Sequence, residues 1–206
     1  MKRRTLDIIF SVGGLLAAIL ILVLGLVLQN QANFAKNYVH DQLAAQKIYF
    51  TPAKALKSDE NDPCLKTYAG QQLVSGRQAQ CYANHYIGVH VKLINDGKTY
   101  AQTSGDARAL QAQLAAMSDQ NSAAAKQLAA QADATEGKAT ALFQGETLRG
   151  LLLTSYGFSI FGDRAQQAAW VCYALALVLF LASIAGFVHA ATKSAAHTIG
   201  AHDDET

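Results

Sequence analysis

The sequence predicts a mainly α-helical protein in which two transmembrane helices flank an extracytoplasmic helical domain with a long helical hairpin. Two uncharged apolar runs, at 8–28 and 168–188, and an Ala-rich stretch between them without Gly or Pro carry this prediction. A helix rises about 1.5 Å per residue, so each run covers the roughly 30 Å hydrocarbon core of a bilayer. A spanning helix also satisfies its own backbone hydrogen bonds, which lipid cannot do for it.

Each apolar run has an alternative interpretation. The first, which follows Lys2, Arg3 and Arg4, could be a cleaved signal peptide. Such peptides have apolar cores of about 7–15 residues and a small-residue cleavage site. The run is longer and is followed by Gln29 and Asn30, which favours an uncleaved anchor. The second run could be a core helix of a soluble domain, but its length favours a span.

The basic cluster before the first run sets the predicted orientation. Cytoplasmic flanks carry an excess of Lys and Arg, and the first helix usually dominates. We therefore expect both termini in the cytoplasm and the central domain outside, in a bacterial plasma membrane. The predicted segments are a cytoplasmic N-terminus (1–7), a first span (8–28), an extracytoplasmic helical domain (29–167), a second span (168–191) and a cytoplasmic tail (192–206).

The cysteines agree with this topology. Cys64 and Cys81 fall in the predicted outer domain, where two thiols in an oxidising compartment normally pair. Unpaired cysteines or a metal site are the alternatives to this disulfide. Cys172 falls inside the second span and is predicted to be a small apolar contact residue.

The outer domain is predicted from its breaks and caps. The first helix is expected to continue beyond the membrane to about 46, and an extended connection is expected at 47–51. Asp62 and Pro63 give a helix start with a cap and a proline in the first turn, and this helix should end near Gly76. A second helix is expected from Arg77 to about Ile94, and the disulfide would tie the two together.

An Ala-rich helix is predicted over 106–135. The residues expected on one face of this helix, which we call the seam, recur alternately four and three positions apart, which is a weak heptad pattern. An antiparallel hairpin within the chain, with the first helix as a candidate partner, is favoured over an autonomous dimer contact. Gly137 and Gly145 are expected to interrupt the segment that follows, and 143–162 is predicted to be an apolar juxtamembrane segment. The seam comprises Leu110, Leu114, Met117 and Leu128, with Asn121 and Ala124 between the last two.

Small residues mark predicted helix contacts inside the spans. Gly14 and Ala18 form a small-xxx-small pair in the first span, and Ala182 and Gly186 form one in the second. Such pairs let two helices approach closely. Packing of the two spans against each other is the simpler interpretation, and contact with a partner's helix is the alternative.

Motifs that would indicate catalysis or a bound cofactor are not found. His85 and His90 lie five residues apart, which on an α-helix places them about 140° from one another, unlike a pair of metal ligands. His40 could reach them only through tertiary folding, and the tail residues His197 and His202 are interpreted as part of a solvated end. Phosphate-binding loops, nucleophile elbows and metalloprotease motifs do not occur. We therefore predict no catalytic, cofactor-binding or metal residues.

Charge and the spans exclude two further functions. Between 29 and 167 there are thirteen Lys or Arg and eleven Asp or Glu, a net charge of about +2. Nucleic-acid binding needs a strongly basic face, so no nucleic-acid partner is expected. Neither span has an ionisable residue near its middle, where transport pathways usually place one.

Three stretches resemble a group of bacterial two-span membrane proteins of uncharacterised function. They are residues 1–10, the segment CYANHYIG at 81–88, and 145–162. The resemblance implies the two-span topology over nearly the whole chain. Members are sometimes labelled aromatic ring-opening dioxygenases, which need two histidines and a carboxylate around iron. The sequence pattern offers no such set, so the resemblance is used for topology alone.

The leading functional hypothesis is a non-catalytic accessory or scaffold membrane protein of the bacterial envelope that presents a disulfide-clamped helical domain. The bilayer and a membrane-protein partner or a second copy of the chain are its expected partners. The alternative is an extracytoplasmic sensor or ligand-binding module that signals through a partner.

Overall fold

A computed structural model of the chain describes residues 3–192. The protein is mainly helical, and the described residues contain no β-strand. They divide into two compact units, one within Met1–Ala35 and Phe161–Thr206 and the other formed by Lys36–Ile160. The helices are α1 (Arg3–Ala45), α2 (Pro63–Tyr68), α3 (Gly76–Cys81), a π-helical segment (Tyr82–Ile87), α4 (Gly88–Ile94), α5 (Tyr100–Ala115) and α6 (Ala123–Thr192), with single 3-10 turns at Ala53–Ala55 and Ser58–Glu60.

The first unit pairs the apolar part of α1 antiparallel with the apolar part of α6. Towards one end Asp7 Oδ2 lies 3.1 Å from His189 Nδ1, and towards the other the Gln29 amide donates to Gln166 Oε1 at 2.9 Å. Small buried residues recur at every seventh position of both helices, so that they form a row along the face of each helix that contacts the other. They are Ser11, Ala18, Gly25 and Ala32 on α1, and Gly162, Ala169, Ala176, Ser183 and Ala190 on α6.

The outward faces of this pair are apolar. Leu20 is 71% exposed, Trp170 65% and Val178 62%, and many other large apolar side chains on both helices are exposed as well. Soluble monomers rarely carry contiguous apolar surface on this scale. Both helices are long and apolar enough to cross a membrane. The two apolar helices predicted from the sequence are confirmed.

The second unit surrounds one buried apolar cluster. The last turns of α1, the segment from Phe50 to Val91 and the middle of α6 contribute to it. Phe50, Leu65 and Leu142 are each at most 2% exposed. Full burial of such a side chain is worth roughly 1.5–3 kcal/mol, so this cluster holds the shorter helices against α6.

The connection after α1 is extended at 48–50, whereas Lys47, which was predicted to be part of it, lies in a turn with a φ of 52°. Phe50 N–H donates to Gln71 O, and Leu73 N–H donates to Ile48 O, both at 2.9 Å. These bonds pair the connection with the chain just before α3. Backbone groups that a helix would have satisfied are therefore satisfied between two short extended segments.

α2 is shorter than the sequence predicted. It begins as expected, with the Asp62 side chain accepting a hydrogen bond from Cys64 N–H at 2.8 Å, but it ends at Tyr68 rather than near Gly76. Gly70 has a φ of 74°, a left-handed conformation that glycine adopts readily. This turn sends the chain back to pair with the 48–50 segment, a tertiary interaction that ends the helix early.

The predicted continuous helix over 106–135 is wrong, because α5 ends at Ala115 and α6 begins at Ala123. Asp119 Oδ1 accepts the Asn121 N–H at 2.9 Å, and Ser122 Oγ accepts the Ala125 N–H at 3.1 Å. Short polar side chains of this kind offer the backbone an alternative to helical hydrogen bonds. The turn at 116–122 therefore divides the Ala-rich stretch into two helices.

α5 and the first part of α6 form an antiparallel hairpin. Tyr100, the first residue of α5, contacts Phe143 well inside α6, with ring centroids 5.5 Å apart. The sequence favoured α1 as the hairpin partner of the Ala-rich stretch. The stretch instead folds on itself, because its own turn brings the two halves together.

α6 is not interrupted at Gly137 or Gly145, and it runs without a break to Thr192. Glycine in a helix costs only roughly 0.5–1 kcal/mol relative to alanine, which packing can offset. A Cβ added to Gly145 would lie 2.6 Å from Val91 Cγ2, so this glycine permits close contact with α4. Residues 143–162 therefore form part of one continuous helix.

Candidate functional site

A disulfide joins α2 to α3 in the second unit. It links Cys64 to Cys81, as predicted, with the Cα atoms 6.0 Å apart. Cys81 is buried and belongs to the apolar cluster. The bond fixes the two shortest helices of the unit against each other, where their own backbone hydrogen bonds contribute little stability.

The π-helical segment Tyr82–Ile87 carries a row of stacked rings, which we call the aromatic row. Tyr82 stacks on Tyr86 with ring centroids 4.6 Å apart, and Tyr86 contacts His90 at 4.5 Å. Phe50 meets the Tyr82 ring edge-on at 5.3 Å. Such π-helical turns are rare and occur frequently at functional sites.

Two histidine–carboxylate pairs join the π-helical segment and α4 to residues 60–62. His85 Nδ1 lies 2.9 Å from Asp62 Oδ2, and His90 Nε2 lies 3.5 Å from Glu60 Oε1. An α-helical spacing of about 140° was expected for these histidines, but His85 lies in the π-helical segment and His90 in α4, and both contact carboxylates of residues 60–62. A π-helix closes its hydrogen bonds over five residues, so α-helical angles do not hold across it.

Glu60 is 3% exposed, and a buried carboxylate needs compensating partners. Its Oε2 accepts the Lys57 N–H at 3.3 Å, and His90 faces its other oxygen. His90 Nδ1 also lies 2.7 Å from Tyr86 O. Burial, followed by the charges of Tyr86 and Glu60, raises the pKa of Tyr82 to about 12.

A cleft of about 510 Å³ lies beside the disulfide. Its walls combine a cation with aromatic and apolar surface, and the disulfide itself forms part of them. Arg77 makes no ion pair with any described residue. Besides Arg77 and the two cysteines, the cleft is lined by Thr67, Tyr68, Gln80, His85, Tyr156 and Ile160.

Gly76 allows two of the helices that line this cleft, α3 and α6, to contact each other. A Cβ placed on Gly76 would lie 3.3 Å from Tyr156 Cα and would overlap the Ser159 side chain. The Ser75 Oγ accepts the Gln78 N–H at 3.3 Å and starts α3 at this point. Because α3 begins on a glycine, its first turn can lie directly against α6.

The small residues predicted for helix contacts divide into two groups. An added Cβ would lie 2.6 Å from Ser183 Oγ at Gly14 and would overlap Ser11 Oγ at Gly186, and Ala18 is buried. These three lie between α1 and α6. Ala182 was wrongly assigned to this contact: it is exposed and Ser183 is buried instead. A seven-residue repeat places Ser183, one position along, on the contact line.

The predicted hairpin seam does not mark the most buried positions. Leu110, Leu114, Met117 and Leu128 are all half-buried, and Met117 lies in the turn beyond α5. The fully buried positions of α5 and the early part of α6 carry smaller side chains, since small residues permit closer helix approach. They are Thr103 and Ala107 on α5, and Ala125, Ala132 and Ala139 on α6.

Among the described residues, one group of possible metal ligands comes together: Asp62, Cys64 and His85. Cys64 is bonded to Cys81 and therefore has no thiolate to offer. His40 pairs with its neighbour Asp41 at 3.1 Å on the exposed side of α1. The tail residues His197 and His202, and with them the predicted cytoplasmic tail, lie outside the described residues.

No protein-family model, curated protein or solved structure matches this chain. The resemblance to bacterial two-span membrane proteins stays a prediction. Sequence reasoning missed the π-helical segment, the two histidine–carboxylate pairs and the cleft. The recurrence of Tyr82, Tyr86 and His90 at every fourth residue was the one local signal for the aromatic row.

Proposed function

We propose that this chain is a non-catalytic accessory subunit of a bacterial plasma-membrane complex. Its two apolar helices cross the membrane, both termini are cytoplasmic, and the second unit lies outside. There the disulfide-clamped helices are presented to a membrane-protein partner. The observation that carries this proposal is an exposed apolar patch on the second unit.

The membrane placement is supported by the surface of the helix pair and by the cysteines. Large apolar side chains face outward on both helices, where lipid is the matching solvent. Lys2, Arg3 and Arg4 precede the first helix, which favours a cytoplasmic N-terminus. A disulfide between Cys64 and Cys81 persists in an oxidising compartment, which favours the outer side for the second unit.

The exposed apolar patch consists of Leu148, Leu151 and Phe158 on α6 with Tyr38 on α1. Leu151 is 62% exposed, Tyr38 50%, Leu148 40% and Phe158 39%. At about 100° per residue, the three α6 side chains fall within an arc of about 80°. The Tyr38 ring meets Phe158 edge-on at 5.9 Å and extends the patch to the neighbouring helix.

A stripe of this kind suits an apolar helix of another protein. Apolar residues at helical spacing bind a partner helix through its own i, i+3, i+4 and i+7 positions. Exposed aromatic rings of the kind found here are enriched in interface cores. The patch follows the axis of α6, so a helix of a membrane protein lying alongside α6 is the partner that fits it.

Cross-linking in intact membranes followed by mild solubilisation and mass spectrometry tests this proposal. The wild-type chain should co-purify with a stoichiometric membrane partner, and Leu151→Glu should reduce its recovery at least tenfold. Leu93→Glu is the matched control, since Leu93 is a similarly exposed leucine (65%) on α4, a helix that contributes no residue to the patch. Recovery of the wild-type chain alone, or only with itself, would contradict the proposal.

A further inference from the structure

Beyond the accessory role, we propose that the cleft beside the disulfide binds a small monocarboxylate with an apolar body. The juxtaposition that carries this inference is the Arg77 guanidinium, which has no ion-pair partner among the described residues, in a cleft that is also lined by two tyrosine rings, Ile160 and the disulfide. Its volume of about 510 Å³ lies within the range of small-molecule sites, roughly 300–1,000 Å³.

The charge of the cleft selects an anion. Arg77 is a permanent cation, and no described residue forms an ion pair with it. Among the described lining residues there is no carboxylate to neutralise it. A guanidinium offers parallel N–H donors that match the two oxygens of a carboxylate, so an anionic head group would be held at this side of the cleft.

The number of cations favours a single negative charge. His85 is the one other lining residue that can become positive, and its Nδ1 is already engaged by Asp62 at 2.9 Å. A phosphate dianion or a dicarboxylate would leave charge unmatched at the apolar walls, which is costly. A monocarboxylate matches the one cation that is left unpaired.

The remaining walls select an apolar body. The cleft offers an apolar body contact with the Tyr68 and Tyr156 rings, the Ile160 side chain and the Cys64–Cys81 bond, while Thr67 and Gln80 add polar lining. Pockets that bind small ligands combine mainly apolar walls with a few polar groups that fix orientation. The carboxylate would therefore lie at Arg77, with the apolar body against the tyrosines.

The cleft is a formed feature rather than a surface irregularity. The disulfide holds α2 to α3, and Gly76 permits the start of α3 to lie against Tyr156 of α6. The Asp62 pair fixes His85 in the wall. The cleft walls that the disulfide, Gly76 and the Asp62 pair hold in place are therefore formed before a ligand enters, which favours binding.

Isothermal titration calorimetry on the full chain in lipid nanodiscs tests the site, with 3-phenylpropionate as the probe. Saturable binding should be seen for 3-phenylpropionate and not for its neutral amide, 3-phenylpropanamide. Arg77→Gln should weaken binding about tenfold to a hundredfold, as expected for loss of a hydrogen bond to a charged group. The matched control, Arg108→Gln, removes another exposed arginine that makes no ion pair with a described residue and should leave binding unchanged.

A second variant ties binding to the cleft itself. Gln80→Trp places a large ring in the cleft and should abolish binding while the urea midpoint of the second unit stays within about 0.5 M of wild type. Equal binding of acid and amide, equal effects of Arg77→Gln and Arg108→Gln, or unchanged binding by Gln80→Trp would each overturn the assignment. Tighter binding of inorganic phosphate than of 3-phenylpropionate would overturn the monocarboxylate class.

Discussion

Removing the Cys64–Cys81 disulfide should destabilise the second unit by about 3 kcal/mol. The cysteines are 17 residues apart, and the chain-entropy model gives about this value for a loop of that length. The loop contains most of α2 and the chain that pairs with 48–50. In the unfolded state the disulfide restricts the conformations of this loop, and this restriction stabilises the fold. With an m-value of about 2 kcal/mol per molar urea, the unfolding midpoint should fall by about 1.5 M.

Pulse proteolysis in urea, on the full chain in mild detergent, measures this midpoint through the loss of intact second unit. Two arms should agree: the double variant Cys64→Ala/Cys81→Ala, and the wild-type chain reduced with a phosphine. The reduced arm leaves both side chains in place and therefore separates the covalent bond from side-chain truncation. Cys172→Ala is the matched control and should not move the midpoint, since Cys172 is a free cysteine in the first unit.

A fall of less than about 0.5 M in both arms, with a gel shift showing that the wild-type bond was present and then reduced, would refute this reasoning. Stability of the second unit would then come from its apolar cluster without a contribution from the cross-link.

Two further predictions concern the helix pair and the aromatic row. Gly14→Leu should separate α1 from α6 and lower the thermal midpoint of the full chain, because a Cβ added at Gly14 would lie 2.6 Å from Ser183 Oγ. Gly13→Leu is the control and should leave the midpoint unchanged, because a Cβ added there meets nothing within 4 Å. Equal midpoints for the two variants would contradict the packing of α1 against α6. The pKa of Tyr82 is raised to about 12, so the fold favours the neutral form of this side chain. Its contribution to the free energy of unfolding is therefore fully present below pH 10 and is lost as the pH rises through 12. The urea midpoint should therefore fall less between pH 8 and 11 in Tyr82→Phe than in wild type, while the exposed control Tyr49→Phe should match wild type; equal slopes for all three would refute it.

Local chemistry in the sequence was sufficient for several elements of the fold. Asp62 before Pro63 predicted the start of α2, because an aspartate cap and a proline in the first turn act within a few residues. The uncharged runs predicted the apolar helices, since length and hydropathy are properties of the segment alone. Composition and topology also predicted the Cys64–Cys81 bond.

Sequence reasoning failed where a distant contact outweighed a local preference. Glycine weakens an isolated helix, yet α6 continues through Gly145 because Val91 packs against it. α2 stops at Tyr68 because the following chain pairs with the 48–50 segment. The break at 116–122 is different: Asp119 and Ser122 gave a local signal that the high helix propensity of the surrounding alanines concealed.

By itself the sequence determined the helical class, the two apolar helices and the cysteine pair, because these follow from length, hydropathy and residue type. Only the tertiary structure decided the cleft. Tyr156 lies far along the chain from Arg77 and the disulfide, and they meet because Gly76 lets α3 approach α6. A binding site of this kind depends on contacts between segments, and one sequence carries no periodic or spacing signal for such contacts.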